Sequence, residues 1–252
     1  MRAFMVSCKT KGEIDLMREA GKVVGQTIEE VAKYIKPGIT SEELDKIGEE
    51  FIRSRGMIPA FKGLYGFPGS ICISFNEEVV HGIPGKRVLQ EGDIISLDVG
   101  ATNKGWNADG AATFPVGKVS EEALKLIAVT REATMIGISQ MKLGNHLYDI
   151  SDAIHDYVEK QGYSIVTQYV GHGIGRKVHE EPQVPNFRQP VRGMALRKGM
   201  CLAIEPMVNI GTFETVVKED KWTVVTKDGS LSCHWEHSSA ITDGEPLILT
   251  LP

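Results

Sequence analysis

The sequence predicts an α+β chain made of two related halves facing each other across a pseudo-twofold axis. Three observations carry that expectation. Two blocks of paired helical patterns close on glycines with equal spacing, Gly38 to Gly56 and Gly144 to Gly162, each 18 residues apart. The run Leu89-x-x-Gly92 followed by Asp98 returns as Leu196-x-x-Gly199 followed by Glu205, with the carboxylate six residues after the glycine both times. The offset between the halves is 106 at the helices and 107 at the strands. A near-constant offset over about 50 positions marks an internal repeat. The expected organisation is a single domain over residues 1–252, with a repeat of 11–114 and 120–242 and a pocket between the halves.

The elements follow in order. Thr10 and Glu13 have the spacing of a capping box, and Ile14, Met17, Val24, Ile28 and Val31 recur near helical spacing up to Lys36-Pro37-Gly38. Thr40 and Glu43 form a second box, opening a helix with Leu44, Ile47 and Phe51 inward that ends at Gly56. Strand-like segments run from there to Phe114. Ser120 then opens a helix with Leu124, Ile127 and Ile138 inward, ending near Met141–Gly144, and Asn145 opens another with Ile150, Ile154 and Val158, ending at Gly162.

Between the helix pairs lies the stretch Ile94-Ile95-Ser96-Leu97-Asp98-Val99-Gly100 and its return, Trp106-Asn107-Ala108-Asp109-Gly110. Alternation puts Ile94, Ser96 and Asp98 on one strand face and Ile95, Leu97 and Val99 on the other. A two-residue turn on Asn103-Lys104 sets Asp98 directly opposite Asp109; a three-residue turn through Gly105 with a bulge would shift the pairing. Two carboxylates that close, beside an apolar strand, need a shared proton or a cation between them.

Composition limits the function. With 42% hydrophobic and 24% charged residues and a net charge of −5, nothing points to nucleic acid or an anionic membrane as a partner. Arg2, Lys9, Lys11 and Glu13 leave no apolar signal-peptide core, and no apolar run approaches the roughly 18 residues of a membrane span. Cys8, Cys72, Cys201 and Cys233 lie far apart without a CxxC pair. They read as reduced thiols of a cytoplasmic protein.

The carboxylates have company. His172 lies in the glycine-rich Gly171–Arg176 loop, and Glu236 in Ser232–His237, after an expected Asp228-Gly229 hairpin turn. Asp98, Asp109, His172, Glu205 and Glu236 make an oxygen-rich set with one nitrogen. That set suits Mn, Fe(II), Co(II) or catalytic Zn rather than a closed cysteine zinc site. Two such metals about 3.5–4 Å apart could clamp a tetrahedral intermediate. Duller readings apply elsewhere. His146, His155 and His234 read as satisfied core or surface groups, with His237 left open. Glu77 and Glu78 read as a solvated face, and Cys72 as a buried small residue rather than a nucleophile. Gly171–Gly175 lacks the strand, helix and lysine of a phosphate loop.

Taken together, Cys72–Glu77, His81-Gly82-Ile83-Pro84, Asp98 with Asp109, Gly171–Gly175, His179-Glu180-Glu181-Pro182, Ile204-Glu205-Pro206 and Trp235-Glu236-His237 make the chain resemble the type I methionine aminopeptidases of the short bacterial form, over essentially its whole length. The resemblance implies the pita-bread α+β fold, a central curved antiparallel sheet flanked by helices. It also implies hydrolysis of the first peptide bond, releasing an initiator methionine ahead of a small second residue, by a metal-bridging hydroxide. Asp98 would chelate one metal, Asp109 and Glu236 would bridge both, and His172 and Glu205 would complete the other. Glu205 would also shuttle a proton. His81 and His179 would contact the substrate amide and the scissile carbonyl. Phe61, Phe67, Cys72, Val178 and Trp222 would line the methionine slot. Leu64, where the family commonly has tyrosine, and Ala108, where glycine is common, depart from the pattern.

By the same resemblance the cofactors are two divalent ions (Co, Mn, Fe or Zn), and Asn76 and Ser232 match positions that hold a monovalent cation, Na or K, in some relatives. The expected partners are N-terminal methionyl peptides and nascent chains, with the ribosome as a docking partner; the expected state is a monomer. Two other readings stand beside this one. A proline-directed aminopeptidase of the same fold is opposed by the short chain and by the motifs around His81 and Trp222. A non-catalytic peptide-binding module would require ligands to be missing.

Overall fold

Thr10 and Thr40 act as their spacing requires. Each hydroxyl accepts the backbone N–H three residues on, and Glu13 or Glu43 reaches back to the threonine N–H. They open α1 (Lys11–Ala32) and α2 (Ser41–Ser54). The structure, a computed structural model, describes residues 6–252. Ser120 caps α3 (Glu121–Ser139), whose hydroxyl accepts from Ala123. The fourth helix, α4 (Leu147–Lys160), starts one residue later than its sequence suggests. His146 takes the cap position, its N–H bound by the Asp149 carboxylate at 2.8 Å, while the Asn145 amide closes the preceding turn on the Gln140 carbonyl. Leu124 is half exposed; Ile138 and, in part, Ile127 face inward as expected, joined by Ala123, Leu126 and Ala133.

The strands are short, apart from the central hairpin. The first half holds β1 (Ile58–Pro59), a 3-10 turn (Leu64–Gly66), β2 (Cys72–Phe75), β3 (Glu78–Val80), β4 (Ile94–Asn103) and β5 (Trp106–Pro115). The second holds β6 (Ser164–Ile165), β7 (Gly171–Gly173), β8 (Glu180–Val184), β9 (Cys201–Ile204), β10 (Met207–Asn209), β11 (Thr215–Val217), β12 (Val224–Thr226), β13 (Ser232–His234), β14 (Glu236–Ala240) and β15 (Leu247–Ile248).

The main sheet runs β1-β4-β5-β14-β9-β7-β8, with β2 on β4 and β15 on β14, antiparallel throughout. Its centre reads symmetrically: β5 and β14 pair at the seam, β4 flanks one and β9 the other. Each half has its own core. Ile95, Leu97, Val99 and Ala101 of β4 pack with residues of α1 and α2, whereas Ile94 joins the core of α3, α4 and β9. The face of β4 away from the first core therefore carries Asp98.

The hairpin register differs from the expected one. Lys104 (φ 50°) and Gly105 (φ 77°) are the two turn residues, both left-handed as a type I′ turn requires, and Asn103 pairs with Trp106. Asn103 is held in the strand because its amide donates to the Leu16 carbonyl and to Glu19. Asp98 therefore faces Ala111, and Asp109 faces Gly100. The aspartates are diagonal neighbours rather than directly opposed, yet still on one face, because the shift preserves parity.

Asp228-Gly229 is a turn but not a hairpin. It links β12, in the sheet β11-β12-β3, to β13, in the sheet β13-β10-β6. Glu78 is buried rather than solvated: it accepts the Phe75 N–H and pairs with Arg87 and Lys218. All four cysteines are free, and three of them are buried. Among the described residues, no helix is long and apolar enough to cross a membrane.

Candidate active site

Strand register assembles the site. Asp98 on β4 and Glu236 on β14 both pair with Ala111 of β5, so the three lie in one row across the sheet. His237 pairs with Ile204, and one further step along that ladder brings Glu205 level with Glu236. Asp109 and His172 sit one diagonal step from this row, His172 through its pairing with Ala203. Five side chains from five neighbouring segments thus converge on one face.

The ligand atoms of Asp109, His172 and Glu236 all lie within 4.8 Å of one another. The His172 Nε2 is 3.3 Å from Glu205 and 3.9 Å from Asp109. Its Nδ1 is 2.9 Å from the Gly173 carbonyl, an acceptor only, so Nδ1 carries the proton and Nε2 offers its lone pair to the carboxylates. Ser238 fixes the backbone of Asp109: its hydroxyl accepts from the Asp109 N–H and donates to the Asp109 carbonyl.

Burial dominates the electrostatics. It pushes Asp98 up to about 7, and Asp109 well above its ordinary value, with the Asp98 charge adding to the effect. Glu205 and Glu236 are likewise raised, by burial first and by the Asp109 charge second. Among the described residues, one oxygen each of Asp98, Asp109, Glu205 and Glu236 is buried without a hydrogen-bond partner. Orphaned carboxylate oxygens around one imidazole are the donor set of divalent cations such as Mn, Fe, Co or Zn, and these residues fit them.

A cleft of about 420 Å³ opens onto this cluster. Phe61, Phe67 and Cys72 form a buried apolar group in it, with Leu64 and Trp222 packed against them; Phe67 meets Trp222 edge-on at 5.3 Å. Val178 belongs to the same apolar cluster but does not line the cleft. Cys72 pairs with Asp98 across β2 and β4, so the floor of the slot adjoins the carboxylates. Burial, and then the Asp98 charge, pushes the Cys72 thiol well up, which leaves it an inert apolar residue.

The two further histidines also line the cleft. His81 follows β3 in a left-handed conformation (φ 60°), and its ring meets Tyr169 edge-on at 5.7 Å. His179 stacks on Tyr65 at 5.8 Å and meets His172 edge-on at 4.5 Å. Burial lowers both imidazoles, His81 to about 4, so both are neutral near pH 7.

One site residue escapes the sequence reading. His234 lines the cleft, its Nε2 3.9 Å from Glu205, and burial lowers it to about 3. Its place two residues before Glu236, across the junction of β13 and β14, is the signal the sequence holds. Tyr65, Tyr169 and Met207 line the cleft as well. His237 points away: its Nδ1 bonds the Thr250 hydroxyl at 2.8 Å. His146, the cap of α4, and His155, within it, lie outside the cleft. Asn76 and Ser232 are brought together, the Asn76 carbonyl accepting the Ser232 N–H at 2.8 Å.

The model of metallopeptidase family M24 matches residues 15–243. This chain belongs to that family. It is 53% identical over 247 residues to the methionine aminopeptidase of Clostridium perfringens, covering 98% of this chain and 99% of that one. It is 52% identical over 246 residues to methionine aminopeptidase 1 of Bacillus subtilis, covering 98% and 99%. The crystal structure of methionine aminopeptidase from Thermotoga maritima superposes with a TM-score of 0.97 at 46% identity, covering 98% of this chain and 100% of that one. The M24 chain described here thus has the pita-bread α+β fold, as its sequence resemblance implies.

Proposed function

We propose that the chain is a methionine aminopeptidase: a metal-dependent hydrolase that removes the N-terminal methionine from peptides and nascent proteins and prefers a small second residue. The observation that carries this reading is the register pair Cys72–Asp98, which joins an apolar slot to a buried carboxylate cluster. A methionine side chain seated against Phe61, Phe67 and Trp222 carries its α-amine to the Asp98 end of the cluster. Thioether–aromatic contacts favour that seat by about 0.3–1.5 kcal/mol each.

Asp98, Asp109, His172, Glu205 and Glu236 would hold two divalent ions (Co, Mn, Fe or Zn). When bound, such ions supply Lewis acidity toward the scissile carbonyl and toward a water. Glu205, raised by burial, takes the proton of the attacking water and passes it to the leaving amine. His179 donates a hydrogen bond to the oxygen on which negative charge develops, and His81 holds the amide of the departing chain. Their low proton affinity supports donation as neutral imidazoles.

The orphaned Ser232 hydroxyl beside the Asn76 carbonyl supports the reading of these two as ligands of Na or K. The single catalytic domain is read from a sheet shared by both halves. Unpaired thiols support the cytoplasm as the compartment. We take the enzyme to be a monomer that meets nascent chains at the ribosome.

The test is hydrolysis of Met-Ala-Ser against Pro-Ala-Ser, Leu-Ala-Ser and N-acetyl-Met-Ala-Ser by protein stripped of metal and re-supplied with Co(II), Mn(II), Fe(II) or Zn(II). Metal-restored release of methionine from the free-amine peptide alone is the expected result. Cleavage of the Pro peptide instead would favour the proline-directed reading. No cleavage with metal bound would favour the binding module.

A further inference from the structure

Lys9 lies outside the cleft, yet its side chain is only 2% exposed, rare for an ammonium group. Its Nζ donates to Glu180 at 2.8 Å and to the Ser7 carbonyl at 3.1 Å. The other Glu180 oxygen accepts the Lys177 N–H at 3.1 Å. One carboxylate therefore closes the turn that contains His179 and ties it to the N-terminal segment. That segment is itself fixed, because the Lys9 N–H donates to the Gly199 carbonyl at 2.7 Å.

The same pair supports the loop leaving His172. A Cβ on Gly175 would lie 2.6 Å from the Lys9 Cε and 2.8 Å from a Glu180 oxygen, so any side chain there would have to displace the ends of the ion pair. The Gly175 carbonyl is held in turn by the Asn107 N–H and side-chain amide, two residues before Asp109. Burial tends to raise the Glu180 carboxyl, but the bonds from Lys9 and from the Lys177 backbone outweigh it and leave the group below its ordinary value.

We propose that the Lys9–Glu180 pair is a clamp that sets the His179 ring against His172, which makes Lys9 a positioning residue for the hydrolysis. The clamp lies against the 172–179 connection at Gly175 and Lys177, and neither of its residues lines the cleft. Removing Lys9 strands a partly buried carboxylate at the start of β8. That segment then relaxes toward water and carries His179 with it. Groups that orient site residues typically account for about 10- to 100-fold in activity.

The inference rests on the reading of the site as an aminopeptidase centre, so its test has two readouts. Full-length, metal-loaded Lys9→Met is assayed on Met-Ala-Ser beside Lys9→Arg and Glu180→Gln. The kcat of Lys9→Met is expected to fall about 10- to 100-fold, with KM within about twofold and metal content as in the wild type; Lys9→Arg recovers most of the loss. The second readout is the 1H–15N spectrum of the histidine rings in metal-stripped protein. The His172 and His179 signals are expected to move in Lys9→Met and Glu180→Gln, to return in Lys9→Arg, and the His155 signals to stay in place throughout. Should Lys9→Met not fold, Glu180→Gln, of equal size, is read the same way. Unmoved His172 and His179 signals with wild-type kcat overturn the clamp, as does a loss of kcat matched by loss of metal. A wild-type protein that releases no methionine overturns the site reading, and the ring spectra alone then decide the clamp.

Discussion

Cys72 and Asp98 face each other across the β2–β4 ladder, and that single pairing joins the apolar slot to the carboxylate cluster. Slot residues should therefore act on substrate binding without disturbing the cluster. Trp222 is partly exposed and packs on Phe67. Trp222→Ala is expected to lower kcat/KM on Met-Ala-Ser by about 10- to 30-fold, the equivalent of roughly 1.4–2 kcal/mol of lost slot contacts. Metal content should not change. Steady-state kinetics alongside metal analysis checks this.

The metal-stripped protein should lose stability as pH rises. Asp98 is raised to about 7 by burial, and Asp109, Glu205 and Glu236 are raised as well. Unfolded carboxylates ionise near pH 4, so near neutrality the folded state binds more protons and folding weakens as those protons leave. His81, His172, His234 and His237 are depressed and act in the opposite direction, but only below about pH 6.5, where the unfolded imidazoles charge. Between pH 6.5 and 8.5 the melting temperature of stripped protein should fall. Asp98→Asn should reduce the fall, and re-supplied divalent metal should abolish it.

Acid stability has a separate source on α2. Lys62, with Arg53 and the Ser70 hydroxyl, holds the Glu49 carboxyl down to about 2. A depressed carboxylate stabilises the fold above its unfolded value and loses that contribution as pH falls toward the folded one. The difference in melting temperature between wild type and Glu49→Gln should therefore be largest above pH 5 and shrink between about 4.5 and 2.

The hairpin turn fixes the register on which the aspartates depend. Gly105 is left-handed at φ 77°, where a Cβ is strained. Gly105→Ala is expected to cost about 1 kcal/mol, a drop of roughly 2–4 °C in melting temperature for a chain of this size. A calorimetric scan measures it.

Much of this is legible in the sequence. Capping boxes at Thr10 and Thr40 are local chemistry, and the repeated Leu-x-x-Gly run aligned Asp98 with Glu205 because equivalent strands need equivalent turns. The pairing of Asp98 with Asp109 was harder. Hairpin register turns on which residues accept left-handed φ, and Lys104, with no sequence mark for it, took one of those places because Asn103 was anchored to Leu16 and Glu19. His234 was missed because a single histidine on an apolar strand resembles a core residue until its neighbour Glu236 is seen to face a cleft. Leu124 was misplaced because apolar residues cover more than one face of α3, so periodicity alone could not choose the inward one. The Lys9–Glu180 pair is separated by 171 residues, and nothing local foretells it.

The central claim is that the buried carboxylates hold metal and that this metal is what the slot serves. Its most direct test is a titration of Co(II) or Mn(II) into stripped wild type and Asp109→Asn, with bound metal and methionine release from Met-Ala-Ser measured in the same samples. Release that rises with bound metal in the wild type, and no release from Asp109→Asn at the same metal concentration, is the expected result. Wild-type turnover by Asp109→Asn, or metal bound without any release, would contradict it.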